Sequence, residues 1–177
     1  MSNNIFSNTH DELYSMAESC VKLIDYSDMQ KINNVFVISV IEEARLKTFL
    51  NGLFEVNPNT KVSVLVQDYV YEGFNSNFGE KCKIYSWKGG YSLEVLKTID
   101  VRDSLDSFVF FSDFPMNLRD KNYLEIGKEL TKSNGARVFC CTIGNDIYEV
   151  NNISYYYQCL KVYEEMGKLA EEYAKIL

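Results

Sequence analysis

The residues best typed for chemistry gather at a few turns. Lys88-Gly89-Gly90-Tyr91-Ser92 follows one apolar run and precedes a short helical one. Paired glycines let backbone amides approach an anion, a helix start adds partial positive charge, and Lys88 supplies a full one. An anion-binding turn built on Lys88, Gly89, Gly90 and Ser92 is therefore one expectation. A tight strand-to-helix turn with an exposed lysine would use the same residues. Asp68 and Asp113, the latter in Asp113-Phe114-Pro115, each follow a strand-like run. A carboxylate at a strand end can act as general acid or base, and two on nearby strands can act as a pair. Solvated turns and helix caps use aspartate in the same places.

Other chemistries lack their parts. His10 is the only histidine, so neither a histidine metal cluster nor a Ser-His-Asp triad is expected, and no metal site is assigned. The five cysteines, Cys20, Cys82, Cys140, Cys141 and Cys159, are odd in number and show no C-x-x-C spacing. Cys140 and Cys141 are adjacent in a strand-like run, so they point to opposite faces as small core residues. After the first buried run the chain reads Ser39-Val40-Ile41-Glu42-Glu43, without glycine. Dinucleotide folds need G-x-G-x-x-G there, methyltransferases a similar glycine-rich turn, and P-loops G-x-x-x-x-G-K-[ST]. This bulky, acidic turn would repel phosphate, and no cofactor is assigned.

The elements that must carry these turns follow from periodicity. A helix over about 9–25 presents Leu13, Met16, Ala17, Cys20, Leu23 and Ile24 on one face, with Thr9 to Glu12 as a capping box. Val35 to Ile41, Val62 to Val66, Lys83 to Trp87, Phe108 to Phe111 and Val138 to Ile143 read as strands, the most apolar as buried on both faces. Helices are expected over about 42–56, at 93–99, over 118–133 with Asn117 as cap and Gly135 as stop, and over about 153–177. Buried strands alternating with helices predict a three-layer α/β/α Rossmann-like sandwich around a mostly parallel five-stranded sheet. Residues 1–177 are expected to form one such domain, with ligands outside the carboxyl ends of the strands.

Composition sets the outer bounds. The chain has 177 residues, 46% of them hydrophobic and 14% aromatic, enough for a core without disulfides or metal. With 25 acidic and 18 basic residues the net charge is −7, which argues against a nucleic-acid partner. Met1 to Thr9 is polar and no apolar run approaches the ~20 residues of a membrane span, so a cytoplasmic protein without a membrane partner is expected. Tyrosines at 69, 71, 91 and 155–157 fall in turns or helix starts, where they could meet a protein partner or a second copy.

Leu46 to Val66, with Leu50, Leu53, Pro58 and the run Val62 to Val66, resembles the amino-terminal half domain of heptosyltransferase-like GT-B glycosyltransferases. There a helix leads through a proline-containing turn into the second strand. The resemblance implies a sugar-nucleotide-related half domain and assigns no catalytic residue. Glu42-Glu43 stands where that family has a Gly-Asp turn. Two functions stay open: a non-catalytic, self-associating binding module, or a small enzyme taking a nucleotide or sugar-nucleotide through Asp68, Lys88 and Asp113.

Overall fold

The computed structural model describes residues 5–39, 43–67, 81–112, 117, 120–142 and 144–176. α1 (Ile5–Glu18) leads to β1 (Val21–Ile24), a 3-10 turn (Tyr26–Met29) and β2 (Asn34–Ser39). Then come α2 (Glu43–Val56), β3 (Lys61–Gln67), β4 (Cys82–Trp87), 3-10 segments at Leu93–Thr98 and Arg102–Ser104, and β5 (Ser107–Phe111). α3 (Asp120–Asn134), β6 (Arg137–Cys141), β7 (Ile147–Val150) and α4 (Ile153–Ile176) follow.

The strands form one seven-stranded sheet in the order β1-β7-β6-β5-β2-β3-β4. β2, β3, β4, β5 and β6 are mutually parallel, while β7 runs antiparallel to both β6 and β1. Continuous β-branched and aromatic runs bury both faces of the central strands. Along β5, Phe108 and Phe110 enter one core while Val109 and Phe111 enter the other. α1, α3, α4 and the 93–98 segment cover the first face, and α2 with the 26–29 turn covers the second. This is the expected Rossmann-like three-layer α/β sandwich.

The sheet has seven strands where five were expected. β1 and β7 are four residues long and only partly buried, so they lack the continuous apolar signature of the centre. The N-terminal helix does not run to residue 25. Ser19 Oγ and the Cys20 thiol donate to the Met16 carbonyl as α1 ends, and Val21 to Ile24 pair with β7. Leu23 and Ile24 keep the helical spacing by coincidence. Thr9 to Glu12 sit inside α1 rather than at its start. The described part of α3 runs from Asp120, with the Asn117 carbonyl accepting from the Asp120 amide at 2.9 Å, and the expected first residues 118 and 119 lie outside the described residues. Val40, Ile41 and Ile143, expected at strand ends, lie outside the described residues.

The end of α3 is as expected. Gly135 takes φ +68°, its amide donates to the Thr131 carbonyl at 2.9 Å, and Ala136 donates to Leu130 at 3.2 Å. A Cβ at Gly135 would meet nothing within 4 Å, so only backbone strain opposes it. Gly135→Ala should therefore destabilise the fold by about 1–2 kcal/mol, read as a lower urea midpoint with an unchanged m-value. An unaltered midpoint would show that the left-handed residue does not hold the α3–β6 turn.

Candidate functional site

Strand order decides where a ligand can enter. β2 lies between β3 and β5, and the helices after β2 and β5 pack on opposite faces of the sheet. That makes β2 and β5 the switch point of the sheet, and open α/β sheets bind ligands in the crevice beyond the carboxyl ends of two such strands.

On one side of that crevice stands Arg45, in the first turn of α2. Its guanidinium carbon lies 5.5 Å from the centre of the Phe111 ring, at the end of β5. Phe49, one turn along α2, meets the same ring edge-on at 5.9 Å. The charge reaches β6 as well: burial pushes the Cys141 thiol up to about 11, with Arg45 opposing that rise and Asp146 adding to it. Arg45 Nε and Nη2 are out of solvent and have no hydrogen-bond acceptor among the described residues. A buried guanidinium lacking acceptors is costly, because each N–H has lost water without replacement.

On the other side, Ser112 directly follows β5 and is buried. Its hydroxyl donates to Asp120 Oδ1, and its amide donates to the Cys141 carbonyl at 3.0 Å. Asp120 is almost fully buried at the start of α3, where the helix's exposed amides favour negative charge. The pair ties the first turn of α3 to the end of β5. Among the described residues no three His, Cys, Asp or Glu side chains are placed to hold a metal ion.

Asp68 and Asp113 lie outside the described residues. The strands that precede them, β3 and β5, flank β2 on its two sides. The Lys88 to Ser92 turn follows β4, the edge strand, two strands away from β2. Its glycine carbonyls already accept bonds: Gln67 Nε2 donates to Gly89 O and Trp87 Nε1 to Gly90 O, both at 3.0 Å. Gly89 sits at φ +82°, Lys88 is exposed, and Ser92 Oγ accepts from the Glu94 amide at 3.3 Å. The helix after this turn is a six-residue 3-10 segment rather than an α-helix, with little dipole to offer an anion. These four residues therefore do not join Arg45 at the switch point.

The clustered tyrosines divide between core and surface. Tyr156 and Tyr157 are buried and Tyr155 is exposed; Tyr91 packs at 5.8 Å from Tyr123; Tyr69 and Tyr71 lie outside the described residues. Tyr157 lines a groove of about 500 Å³ between α3 and α4. Its hydroxyl donates to Glu125 Oε1 at 2.7 Å and Lys128 Nζ lies 4.4 Å from the centre of its ring. Burial and the Glu125 carboxylate push its phenol up to about 12. Cys140 and Cys141 are buried in opposite cores, as adjacent strand residues should be.

Arg45 and Asp120 escaped the reading of motifs. Each carried a signal: a charge on the apolar face of a first turn, Arg45 with Phe49, and Asp120 with Tyr123 and Leu124.

No protein-family model matches the chain, and no curated protein matches its sequence. Two solved structures are similar to it at low likeness. The mitomycin 7-O-methyltransferase MmcR has a TM-score of 0.40 and 12% identity, over 77% of this chain and 36% of its own. MNMC2 from Aquifex aeolicus has a TM-score of 0.41 and 11% identity, over 80% of this chain and 58% of its own. This chain thus spans about a third and somewhat over half of their lengths. Neither is named as a glycosyltransferase. Among the described residues no helix is long and apolar enough to cross a membrane.

Proposed function

We propose that the protein binds a small anionic molecule at the carboxyl ends of β2 and β5, with Arg45 as the group that recognises its negative charge. The carrying observation is that Nε and Nη2 of the half-buried Arg45, at the switch point of the sheet, are out of solvent and lack acceptors among the described residues. A carboxylate or phosphate oxygen supplies the missing acceptors, the planar fork of arginine matches either group, and the Arg45 charge offsets the repulsion expected from the Glu42-Glu43 turn. Phe111 beneath the guanidinium keeps one face of the site apolar, which strengthens the charge interaction by excluding water. Nucleotides and sugar-nucleotides carry such an anionic group, so the heptosyltransferase-like resemblance of residues 46–66 is retained here as a ligand class. Those residues form most of α2 and nearly all of β3, beside the crevice.

Thermal-shift and calorimetric titration with inorganic phosphate, citrate, AMP and UDP-glucose tests this reading. At least one of these anions should raise the melting temperature of the wild-type protein. Arg45→Gln should weaken that binding by about tenfold to a hundredfold, the scale of a charged hydrogen bond. Arg45→Lys should not restore it, because lysine cannot present the fork. A wild-type protein that ignores all four anions, or a glutamine variant that binds as well as wild type, refutes the assignment.

A further inference from the structure

A small basic cavity opens at the amino-terminal ends of β2, β3 and β4, the end of the sheet opposite Arg45. Its volume is about 170 Å³, and three lysines line it, Lys61, Lys81 and Lys83. Strand alternation gathers its polar groups. Lys61 and Ser63 on β3 are two residues apart, as are Lys83 and Tyr85 on β4, so each pair shares a face of the sheet. The register sets Ser63 beside Lys83, and the face is that of the first core, which Tyr85 enters. Val101, just before the Arg102–Ser104 segment, lines the cavity from outside the sheet.

The positive charge here is largely unmatched. Among the described residues Lys61 and Lys81 make no ion pair, and Lys81 Nζ lies 5.3 Å from the centre of the Phe54 ring. Lys83 pairs with Asp100, but the two side chains are 61% and 67% exposed, and water screens such a pair. Three cations thus line one small space in a chain whose net charge is −7. Tyr85, 9% exposed, forms its deepest part, and the Tyr85 hydroxyl is out of solvent with no hydrogen-bond partner among the described residues. A buried hydroxyl in that state is costly, because it has lost water without replacement. Lys83 Nζ stands 5.0 Å from the centre of the same ring. Asp100, and after it the nearby Tyr85 hydroxyl, raise the Lys83 pKa above its ordinary value. Ser63, 6% exposed, brings a second hydroxyl to the lining.

We propose that this cavity binds a small oxyanion of the phosphate type, free or as the end group of a phosphorylated small molecule. The three ammonium groups surround its charge, and one of its oxygens accepts from the Tyr85 hydroxyl, the partner that the fold leaves out. Lysine meets phosphate as a point charge, so no planar fork is required. The space is well below the roughly 300–1,000 Å³ of pockets that enclose larger ligands, which restricts the enclosed part to a group of phosphate size. Because the ammonium groups are exposed, the dissociation constant should be on the order of millimolar.

Amide NMR titration of the whole chain with inorganic phosphate, against sodium chloride at matched ionic strength, tests the site. The amides of Ser63, Lys83, Tyr85 and Val101 should shift saturably with phosphate and not with chloride. Lys61→Gln combined with Lys81→Gln should weaken this binding by about tenfold and leave the melting temperature within a few degrees, since both side chains are exposed. Tyr85→Phe should also weaken it by about tenfold, yet leave the melting temperature of the free protein unchanged or higher, because it deletes a hydroxyl that has no partner. Arg45→Gln should leave these shifts as in wild type, because Arg45 stands at the other end of the sheet. Glycerol 3-phosphate identifies the source: tighter binding than phosphate marks a phosphorylated molecule, weaker binding a free anion. The proposal is overturned by amides that do not shift, by shifts that chloride reproduces, or by shifts that vanish in Arg45→Gln. Full affinity in the double lysine variant or in Tyr85→Phe overturns it as well.

Discussion

Phe108→Ala should destabilise the protein by about 3–5 kcal/mol, the usual cost of emptying a buried aromatic site. With a urea m-value of about 1–3 kcal/mol per molar, the unfolding midpoint should fall by roughly 2 M. Phe108 is fully buried near the middle of the sheet, paired in register with Phe36 on β2 and Val138 on β6. Its ring lies 5.5 Å from that of Phe36 and 5.9 Å from that of Phe110, which in turn stacks on Tyr123 of α3 at 5.4 Å. No surface side chain can collapse into the space, so the lost transfer energy and the cavity term add. A loss below about 1 kcal/mol would mean that the α3–α4 face is packed far more loosely than this aromatic chain implies.

The second large effect falls on the crevice itself. Asp120→Ala should cost about 2–3 kcal/mol, because it strands the buried Ser112 hydroxyl without its acceptor and removes a carboxylate from the start of α3. Ser112→Ala should be costly as well, since it leaves the buried Asp120 Oδ1 without the hydroxyl that donates to it. A double-mutant cycle over Ser112 and Asp120 should give a coupling energy above about 1 kcal/mol. Asp120→Asn, close in volume and still able to accept through its amide oxygen, should recover part of the loss. Because the pair joins α3 to the end of β5, Asp120→Ala should also weaken whatever anion binding Arg45 supports. A coupling energy near zero would show that the two groups stabilise the fold independently.

The fold was legible where burial is two-sided. Val35 to Ile38, Val62 to Val66 and Phe108 to Phe111 are apolar at nearly every position because both faces of these strands are covered, and such runs mark a parallel sheet whatever its order. The end of α3 was legible because Gly135 is needed for one backbone conformation. β1 and β7 were not legible. They pair with each other across 129 positions at Val21 and Val150, and four half-exposed residues carry no periodicity of their own. The 3.6-residue spacing that continued from Cys20 through Leu23 and Ile24 won that comparison locally, and sheet pairing overrode it.

The candidate site followed the same division. The turns after strands were visible as places to search, and Lys88, Gly89, Gly90 and Ser92 looked the most chemical because glycine and lysine advertise themselves. Strand order put that turn at the edge of the sheet and put Arg45 over Phe111, 66 residues away, at its switch point.

By itself, then, the sequence determined the α/β class, the buried strands and the absence of the familiar glycine-rich phosphate turn after the first of them, since each is a local property of composition and period. Tertiary structure alone decided which strand ends are neighbours, that Arg45 lies over Phe111 with Nε and Nη2 lacking acceptors among the described residues, and that Ser112 meets Asp120. The physical reason is that a side chain's type and spacing are written locally, whereas its partner and its solvent are set by strand order and by the faces on which the helices land.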